Sequence, residues 1–337
     1  MLIVFIVLAG ILLLGLVYEQ ASRRIDAGRL HPGEFIDVGG YRLHLTDDGR
    51  EGPTIILIHG AGDCSYSWIH VRRELSKFTR VITYDRAGMG SSDPGPAPTP
   101  EHTIKELKSL LDKAGAAGPY ILAGHSLGGL IARLYAYQYP DQVAGFVFLD
   151  STHEFLKDDT KFKQGFTIIG IMLKILRLLS PFGIPRFLGN HLGIIPMFGH
   201  ERSYYKQQLS AEEYKQWKGM IYRILAGRTA GAEFKGAWAH LDLAAKQLNT
   251  SKNKPQFGDL PIAVVNNPGF GIQWTEMQKE LASRSTNHIH KISDRKGHSL
   301  QMPRPEYVIE AIHHVVEQVK ERNGRTLAES CQEQLVK

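Results

Sequence analysis

The chain has 337 residues, of which 40 are Lys or Arg and 34 are Asp or Glu, so its formal net charge is +6. Hydrophobic residues make up 43% and charged residues 22%, which is typical of a globular protein and excludes a disordered one. Two cysteines, Cys64 and Cys331, are too few for a disulfide-rich scaffold or a cysteine-clustered metal site, and we expect both to be unpaired thiols. The small charge excess forms no Arg/Lys stripe and does not indicate nucleic-acid binding.

Residues 1–17 contain no charged or polar side chain. As a helix they would span about 25 Å, slightly less than a hydrocarbon core of roughly 30 Å. The absence of an early Lys or Arg, the length of the run and the lack of a small-x-small site favour an uncleaved membrane anchor over a cleaved signal peptide. Arginines at positions 23, 24 and 29 follow the run, and the positive-inside rule then favours a cytoplasmic location for the rest of the chain.

Beyond this segment, short apolar runs alternate with amphipathic stretches. The first region contains two short strands around a turn at Gly39 and Gly40. Apolar and alternating runs predict strands within 34–45 and at 54–59, 80–85, 120–123, 143–149, 260–265 and 288–292. Helical spacing predicts helices at 68–78, 103–114, 130–139 and 306–319. Four prolines within residues 91–100 predict a loop there.

The alternation stops between residues 151 and 257, where the pattern is one of helices and loops. One sheet interrupted by a helical insertion indicates an α/β domain with a cap. We therefore predict a mostly parallel central sheet with helices on both faces. The predicted parts are an anchor at 1–18, a connector at 19–32, the sheet domain at 33–150 and 258–320, the cap at 151–257 and a tail at 321–337.

The motif GHSLG at residues 124–128 matches the pattern G-x-S-x-G. The pattern is informative only between a strand and a helix, and here an apolar strand precedes it and a helical pattern follows. So tight a turn needs small flanking residues and strains the backbone of its serine. The context favours Ser126 as a nucleophile at the carboxyl edge of the sheet over a turn needed only for packing.

An acyl-transfer site also needs N–H donors for the oxygen that becomes negatively charged. The N–H of Leu127, directly after the nucleophile, is one candidate. The sequence HGAG at 59–62 ends a predicted strand, and the N–H of Ala61 is the second candidate. We expect His59 to fix this loop, because the base follows the nucleophile in this arrangement.

A serine nucleophile requires a base and an acid that orients it. His298 lies between the last predicted strand and the last helix, at the carboxyl edge of the sheet, and is the predicted base. Asp150 ends the strand 143–149 and is the predicted acid. Asp294 and Glu154 are alternative acids, and a turn-capping role for Asp150 is the alternative to a catalytic one.

Together these residues resemble the α/β-hydrolase superfamily. The matching segments are HGAG at 59–62, YDRAGMGSSD at 84–93, GHSLGG at 124–129 and GHS at 297–299. The resemblance implies the fold of that superfamily, with Ser126 as nucleophile, His298 as base and the N–H groups of Ala61 and Leu127 as oxyanion donors. It also implies a structural role for the Asp-Arg pair at 85–86.

The predicted acid departs from the usual pattern of the superfamily. Most members carry the acid after the strand that corresponds to 260–265, where this chain has NNPG. Some lipases and related enzymes place it one strand earlier, where Asp150 lies. Epoxide hydrolases and haloalkane dehalogenases of this fold use an aspartate nucleophile, and Ser126 argues against both.

Residues 161–199 are apolar and contain no Asp or Glu. They carry five cationic residues, Lys161, Lys163, Lys174, Arg177 and Arg186. This composition fits an interfacial segment with access to lipid-like esters, or equally a helix that covers an apolar pocket. Candidates for lining such a pocket are Trp217, Phe234 and Trp238.

The sequence therefore predicts a membrane-tethered serine hydrolase that cleaves apolar or lipid-like carboxylic esters through an acyl-enzyme, without a metal or cofactor. A thioesterase or acyltransferase of the same fold is one alternative. A non-catalytic ligand-binding protein with this fold is another. The expected partners are a small-molecule ester and the membrane, the latter through the N-terminal helix and, as a second candidate, the cap.

Overall fold

The computed structural model describes residues 1–29, 32–49, 51–194, 201–248 and 256–335. Its strands are β1 (Glu34–Asp37), β2 (Arg42–Asp48), β3 (Ile55–Ile58), β4 (Val81–Tyr84), β5 (Tyr120–His125), β6 (Val143–Leu149), β7 (Ile262–Asn266) and β8 (His288–Ile292). They form one sheet in the order β1-β2-β4-β3-β5-β6-β7-β8. β2 pairs antiparallel with β1 and β4, and all other pairings are parallel.

The helices are α1 (Leu2–Ala27), α2 (Ile69–Leu75), α3 (Pro100–Lys113), α4 (Leu127–Gln138), α5 (Thr160–Leu179), α6 (Ile184–Phe187), α7 (Glu201–Gln208), α8 (Ala211–Ala226), α9 (Thr229–Leu248), α10 (Gly271–Ala282) and α11 (Pro305–Leu335). One face of the sheet packs on α3, α4 and α10, and the other face packs on α2 and α11. The central strands are buried on both faces, which explains their uninterrupted apolar sequences. The predicted fold class, an α/β-hydrolase fold with a mostly parallel sheet, is confirmed.

The predicted strands agree with the observed ones to within a few residues, while the helices differ in three places. α4 begins at Leu127, directly after Ser126, and α11 continues to Leu335. The sequence interpretation missed α10, although Trp274, Met277 and Leu281 repeat at helical spacing and are buried against the sheet. The predicted loop at 91–100 contains no helix or strand up to residue 99, and α3 begins at Pro100, three residues before its predicted start.

The register of the central strands brings chemically important residues to one edge of the sheet. His125 pairs with Leu149, so the next residues, Ser126 and Asp150, leave neighbouring strands at the same level. Leu149 in turn pairs with Val265, and the Asp150 N–H donates to the Val265 carbonyl (2.9 Å). Three strand ends therefore meet at the carboxyl edge of the sheet.

Helices α5 to α9 lie between β6 and β7 and form the cap. α5 packs on α9, and α9 also packs on α4, so the cap is joined to the sheet domain. A third apolar cluster lies between the cap and the sheet domain and includes Trp217, which is fully buried and stacked on Tyr205 at 4.3 Å. Trp217 thus packs on tyrosine rings of the cap and does not line the cavity beside Ser126.

The N-terminal helix α1 has two parts with different surroundings. The side chains from Met1 to Leu14 are exposed, whereas Glu19 is 3% exposed and contacts the cap. In the described parts of the chain, two helical stretches are long and apolar enough to cross a membrane, Leu2–Ala27 and Thr160–Phe182. The second of these contains α5 of the cap.

Candidate active site

Ser126 occupies a tight turn between β5 and α4. Its backbone has φ 52° and ψ −120°, a conformation that is strained for a residue with a side chain. The turn holds this conformation because the Ser126 N–H donates to the Leu149 carbonyl (3.0 Å) and the Ser126 carbonyl accepts from the Thr152 N–H (3.0 Å). A Cβ atom on Gly128 would lie 2.2 Å from the carbonyl oxygen of Ile58, so close packing requires that glycine.

Asp150 is fully buried at the end of β6 and also has a positive φ, 43°. Its Oδ2 atom accepts a hydrogen bond from Nδ1 of His298 (3.0 Å) and another from Nδ2 of Asn267. Its Oδ1 atom accepts from the Asn267 N–H (3.2 Å) and from Nε1 of Trp274 (2.8 Å). Four donors therefore surround the carboxylate and stabilise its negative charge.

The hydrogen bond to Asp150 fixes the proton of His298 on Nδ1, because a carboxylate only accepts. Nε2 of the ring is then the atom that can take up a proton. The His298 carbonyl accepts from Nε2 of His125 (2.9 Å), and Phe270 packs edge-on to the His298 ring at 5.3 Å. Burial, with His298 adding to it, lowers the pKa of His125 well below its usual value, so His125 is a neutral support for the loop.

The HGAG loop that follows β3 is held in place by a buried ion pair. Arg86 donates to the carbonyls of His59 and Gly60 (2.7 Å each), and its guanidinium pairs with Glu233 of the cap helix α9 (2.6 Å). Glu233 also accepts from the Gly62 N–H (3.0 Å). The peptide groups on both sides of Ala61 are thereby fixed, and Ala61 lines the same cavity as Ser126.

The electrostatics of this loop follow from its burial. Burial by itself would raise the pKa of Glu233, but Arg86 and the Gly62 N–H lower it below its usual value. Burial and the nearby Arg86 lower the pKa of His59 to about 4. His59 is therefore neutral; it donates from Nδ1 to the Gly60 carbonyl (2.9 Å) and accepts at Nε2 from the Arg86 N–H (3.3 Å).

Leu127 is the first residue of α4, and the N–H groups of a first helical turn have no acceptor within the helix. Ser126, Ala61 and His298 all border a cavity of about 490 Å³. Most of the cavity wall is apolar and comes from the cap and from α10. Its apolar lining consists of Leu156, Phe162, Phe166, Ile169, Met172, Phe234, Phe270, Trp274 and Met277.

The other predicted acids are engaged elsewhere. Glu154 is buried between Arg133 and Arg284, and Arg284 donates to it at 2.6 Å. Asp294 is about half exposed and pairs with Arg304. The structure thus brings Asp150 to His298 and gives both rivals other partners.

Sequence reasoning missed the groups that support Asp150 and the HGAG loop. Asn267 stands where most members of the resembled superfamily carry the acid, and here its side chain donates to the acid of the neighbouring strand. Trp274 lies in the helix that was not predicted, and its apolar spacing was the available signal. Glu233 lies 147 residues from Arg86, and no local pattern links them.

Two other sequence interpretations have different outcomes. Phe234 lines the cavity, while Trp238 packs behind Phe166, with ring centroids 5.6 Å apart.

Cys64 is a buried free thiol, whereas Cys331 lies in the part of α11 whose side chains are outside the described residues.

Comparison with known proteins agrees with this architecture. The family model for the alpha/beta hydrolase fold matches residues 53–167. Epoxide hydrolase 4 of Mus musculus is 34% identical over 121 residues, covering 34% of this chain and 33% of that protein. This chain spans less than half of the length of the curated relatives it matches.

Two solved structures align over most of the chain. A thermophilic esterase from Thermogutta terrifontis aligns with a TM-score of 0.57 and 22% identity, covering 85% of this chain and 97% of that one. A bacterial membrane phospholipase A aligns with a TM-score of 0.59 and 18% identity, covering 95% of this chain and 97% of that one. At these identities the alignments establish the fold. The mostly parallel eight-stranded sheet and the matched family segment show the α/β-hydrolase fold and support the α/β-hydrolase superfamily.

Proposed function

We propose that the protein is a membrane-anchored serine hydrolase that cleaves carboxylic esters through an acyl-enzyme intermediate. The observation that carries this proposal is the hydrogen bond from Nδ1 of His298 to Asp150, at the edge of a cavity that Ser126 also borders. Nucleophile, acid and base follow one another along the chain in the order typical of hydrolases of this fold.

In the first half of the reaction, Nε2 of His298 takes the proton of the Ser126 hydroxyl while Oγ attacks the ester carbonyl. The carbonyl oxygen becomes negatively charged and accepts hydrogen bonds from the N–H groups of Ala61 and Leu127. His298 then gives its proton to the alcohol, which leaves as the carbon–oxygen bond breaks. Asp150 stabilises the transient imidazolium.

In the second half, water replaces the alcohol. His298 removes a proton from the water, the hydroxide attacks the acyl-enzyme carbonyl, and the carboxylic acid leaves as Ser126 regains its proton. Removing one oxyanion donor typically costs about 2.7–4 kcal/mol of transition-state stabilisation. The fixed HGAG loop supports this role for Ala61, because its neighbouring peptide groups are anchored by Arg86 and Glu233.

The cavity supports an apolar acyl group as the part of the substrate that is bound. Aromatic and aliphatic side chains form most of its lining, and its volume of about 490 Å³ is within the usual range for small-molecule sites. An epoxide hydrolase is named among the relatives, but the nucleophile position here holds Ser126 rather than Asp. An ester fits a serine nucleophile with an oxyanion loop better than an epoxide does.

Membrane anchoring is supported by α1, whose apolar residues from Met1 to Val17 are almost all exposed. The apolar residues 2–17 of this helix span about 24 Å, slightly less than a hydrocarbon core of roughly 30 Å, and the helix continues to Ala27. A cytoplasmic location for the catalytic domain remains a prediction from the arginines that follow the apolar run.

The test is labelling of the full-length protein with a fluorophosphonate probe, combined with a p-nitrophenyl ester series of increasing chain length. We expect labelling of the wild type and none of Ser126→Ala. Ser299→Ala is the matched control, since this serine borders the same cavity, and it should keep labelling. Equal labelling of Ser126→Ala and the wild type would refute the nucleophile. Absence of hydrolysis across the series would favour a binding protein.

A further inference from the structure

The junction between α1 and the cap contains buried charges. Glu19 and Arg186 are 3% and 5% exposed, and Nε of Arg186 donates to Glu19 (2.8 Å). Nη1 of Arg186 donates to Asp26 (2.6 Å), about two helical turns further along α1. The guanidinium also lies over the ring of Tyr222 at 4.6 Å. Because Arg186 contacts α1 at two points about two turns apart, the network favours one orientation of α1 on the cap.

Arg186 therefore does not act as a free cation of the cap, as its sequence context suggested. The sequence interpretation grouped it with four lysines and arginines in an acid-free segment. In the fold, both of its carboxylate partners come from α1, more than 150 residues away.

This junction also places the cap relative to the apolar run of α1. Gly15 packs against the carbonyl of Phe182, which a Cβ atom would approach to 2.3 Å, and Gly183 packs in the same way against the ring of Tyr18. Gly15 is two residues before the end of the apolar run, roughly 3 Å along the helix axis. The turn that follows α5 is thus level with the end of the segment proposed to cross the bilayer.

Helix α5 is apolar on two opposite sides. Its inner side, with Phe162, Phe166 and Ile169, lines the cavity. On the other side, a row at spacings of three, four and three residues is more than half exposed. That row is Ile168, Ile171, Ile175 and Leu178. A helix that is apolar on two opposite sides is normally covered on both.

The exposed apolar surface continues towards α1. Phe187, Leu192 and Ile194 are each more than half exposed. Between them, Asn190 donates to the hydroxyl of Tyr18 (3.1 Å), which places this segment beside the end of the apolar run. We call these three residues and the row on α5 the outer cap face. α5 also carries four cationic residues and no carboxylate, which favours contact with anionic lipid headgroups.

We propose that the outer cap face rests on the bilayer in which α1 is anchored, and that the substrate is a lipid ester taken from that leaflet. The substrate class rests on the proposed function; the membrane contact does not. α5 alone, about 10 Å thick, would then separate the lipid from the catalytic cavity. The Glu19–Arg186 pair holds the cap at the angle that this contact requires.

The contact is tested with single bimane labels on the full chain in vesicles of neutral and anionic phospholipids. The labels are placed at Ile175→Cys and, as the control, at Ile292→Cys in β8, whose side chain is about equally exposed. Cys331→Ser removes the second cysteine, and Cys64 is kept because it is buried. Nitroxide-labelled lipids should quench the label at 175 strongly and the label at 292 little. Equal quenching at both positions would overturn the proposal. A label at 175 that is shielded from lipid and from water would show that a second copy covers the face, which also contradicts it.

The substrate class is tested with the triple variant Ile171→Gln/Ile175→Gln/Leu178→Gln, which changes no cavity residue. We expect it to keep the wild-type rate on a short, water-soluble ester and to lose about tenfold on a long-chain ester embedded in vesicles. Ile292→Gln should lose neither activity. An equal loss of hydrolysis rate on both esters, or no loss on either ester, would refute delivery from the leaflet. If the wild type hydrolyses no ester, the proposed function fails while the quenching result still decides the membrane contact.

Discussion

Replacing Asp150 by Asn tests the proposed acid, because the surroundings of this residue consist of donors. The carboxylate accepts from His298 and from the Asn267 side chain on Oδ2, and from the Asn267 N–H and Trp274 on Oδ1. An amide has only one oxygen, so its NH₂ group must face two of these four hydrogen-bond donors.

The two orientations of the new amide have different costs. With its NH₂ group towards His298, the ring can switch its proton to Nε2 and accept at Nδ1, which leaves one unpaired donor, Nδ2 of Asn267. With the NH₂ group towards Trp274, two donors are unpaired. A buried unpaired donor costs about 1–3 kcal/mol, so the first orientation is favoured by about that amount.

The favoured orientation holds His298 in the wrong tautomer, with no free Nε2 to accept the Ser126 proton. In the reference Ser-His-Asp enzyme the same change lowers kcat about 10⁴-fold, or about 5 kcal/mol. We therefore expect a loss of about 10³–10⁴-fold in kcat, with KM little changed and about 1–3 kcal/mol lost from the free energy of unfolding.

The assay is steady-state hydrolysis of a p-nitrophenyl ester together with thermal unfolding, which separates lost chemistry from lost folding. Asp294→Asn is the matched control, since this residue is exposed and pairs with Arg304, and it should keep near-wild-type kcat. A folded Asp150→Asn enzyme with kcat within tenfold of wild type would refute the reasoning. So would an equal loss in the Asp294 variant.

Three further predictions concern the residues around the site. Glu233→Gln leaves the buried Arg86 without its counter-charge, so the free energy of unfolding should fall by about 3–5 kcal/mol. We also expect a fall in kcat rather than a rise in KM. An unchanged kcat in the folded variant would show that the cap does not position the HGAG loop. The pKa of His59 is about 4 in the folded protein and about 6.5 in the unfolded chain. The neutral ring therefore contributes fully to the free energy of unfolding above pH 6.5, and this contribution is lost as pH falls towards 4. Wild type should lose about 3 kcal/mol more than His59→Gln between pH 7 and 4 in denaturant titrations, and parallel pH profiles would contradict this. Gly128→Ala forces a Cβ atom against Ile58 and should lower the free energy of unfolding by about 1–3 kcal/mol. Gly165→Ala is the control, because the space around Gly165 is open, and it should not lower it. Equal melting temperatures of the two variants would show that α4 shifts freely.

Local patterns were sufficient for the strands and for the edge of the sheet at which the proposed site residues lie. A buried parallel strand must be apolar throughout, so β3, β5 and β6 were recognisable from short runs alone. Ser126 and Asp150 follow such runs directly, and His298 lies in the loop after β8. The parallel strands end at one edge of the sheet. The positions of Ser126, Asp150 and His298 could therefore be predicted without knowing a single contact.

Contacts between distant segments could not be predicted in this way. Asn267 donates to Asp150 because β6 and β7 pair in a particular register, and a shift of one residue would turn its side chain to the other face. The pairing of Glu233 with Arg86 depends on how α9 packs across the sheet edge, and periodicity only indicates that α9 is a helix.

The charge distribution shows the same division. The sequence by itself determined an apolar N-terminal run, an acid-free apolar segment in the cap and a small positive excess, because these are properties of composition. Only the tertiary structure decided that Arg186 is neutralised by two carboxylates of α1, while the row on α5 remains uncovered. Composition specifies which groups need partners, and packing over long sequence distances decides which partners they meet.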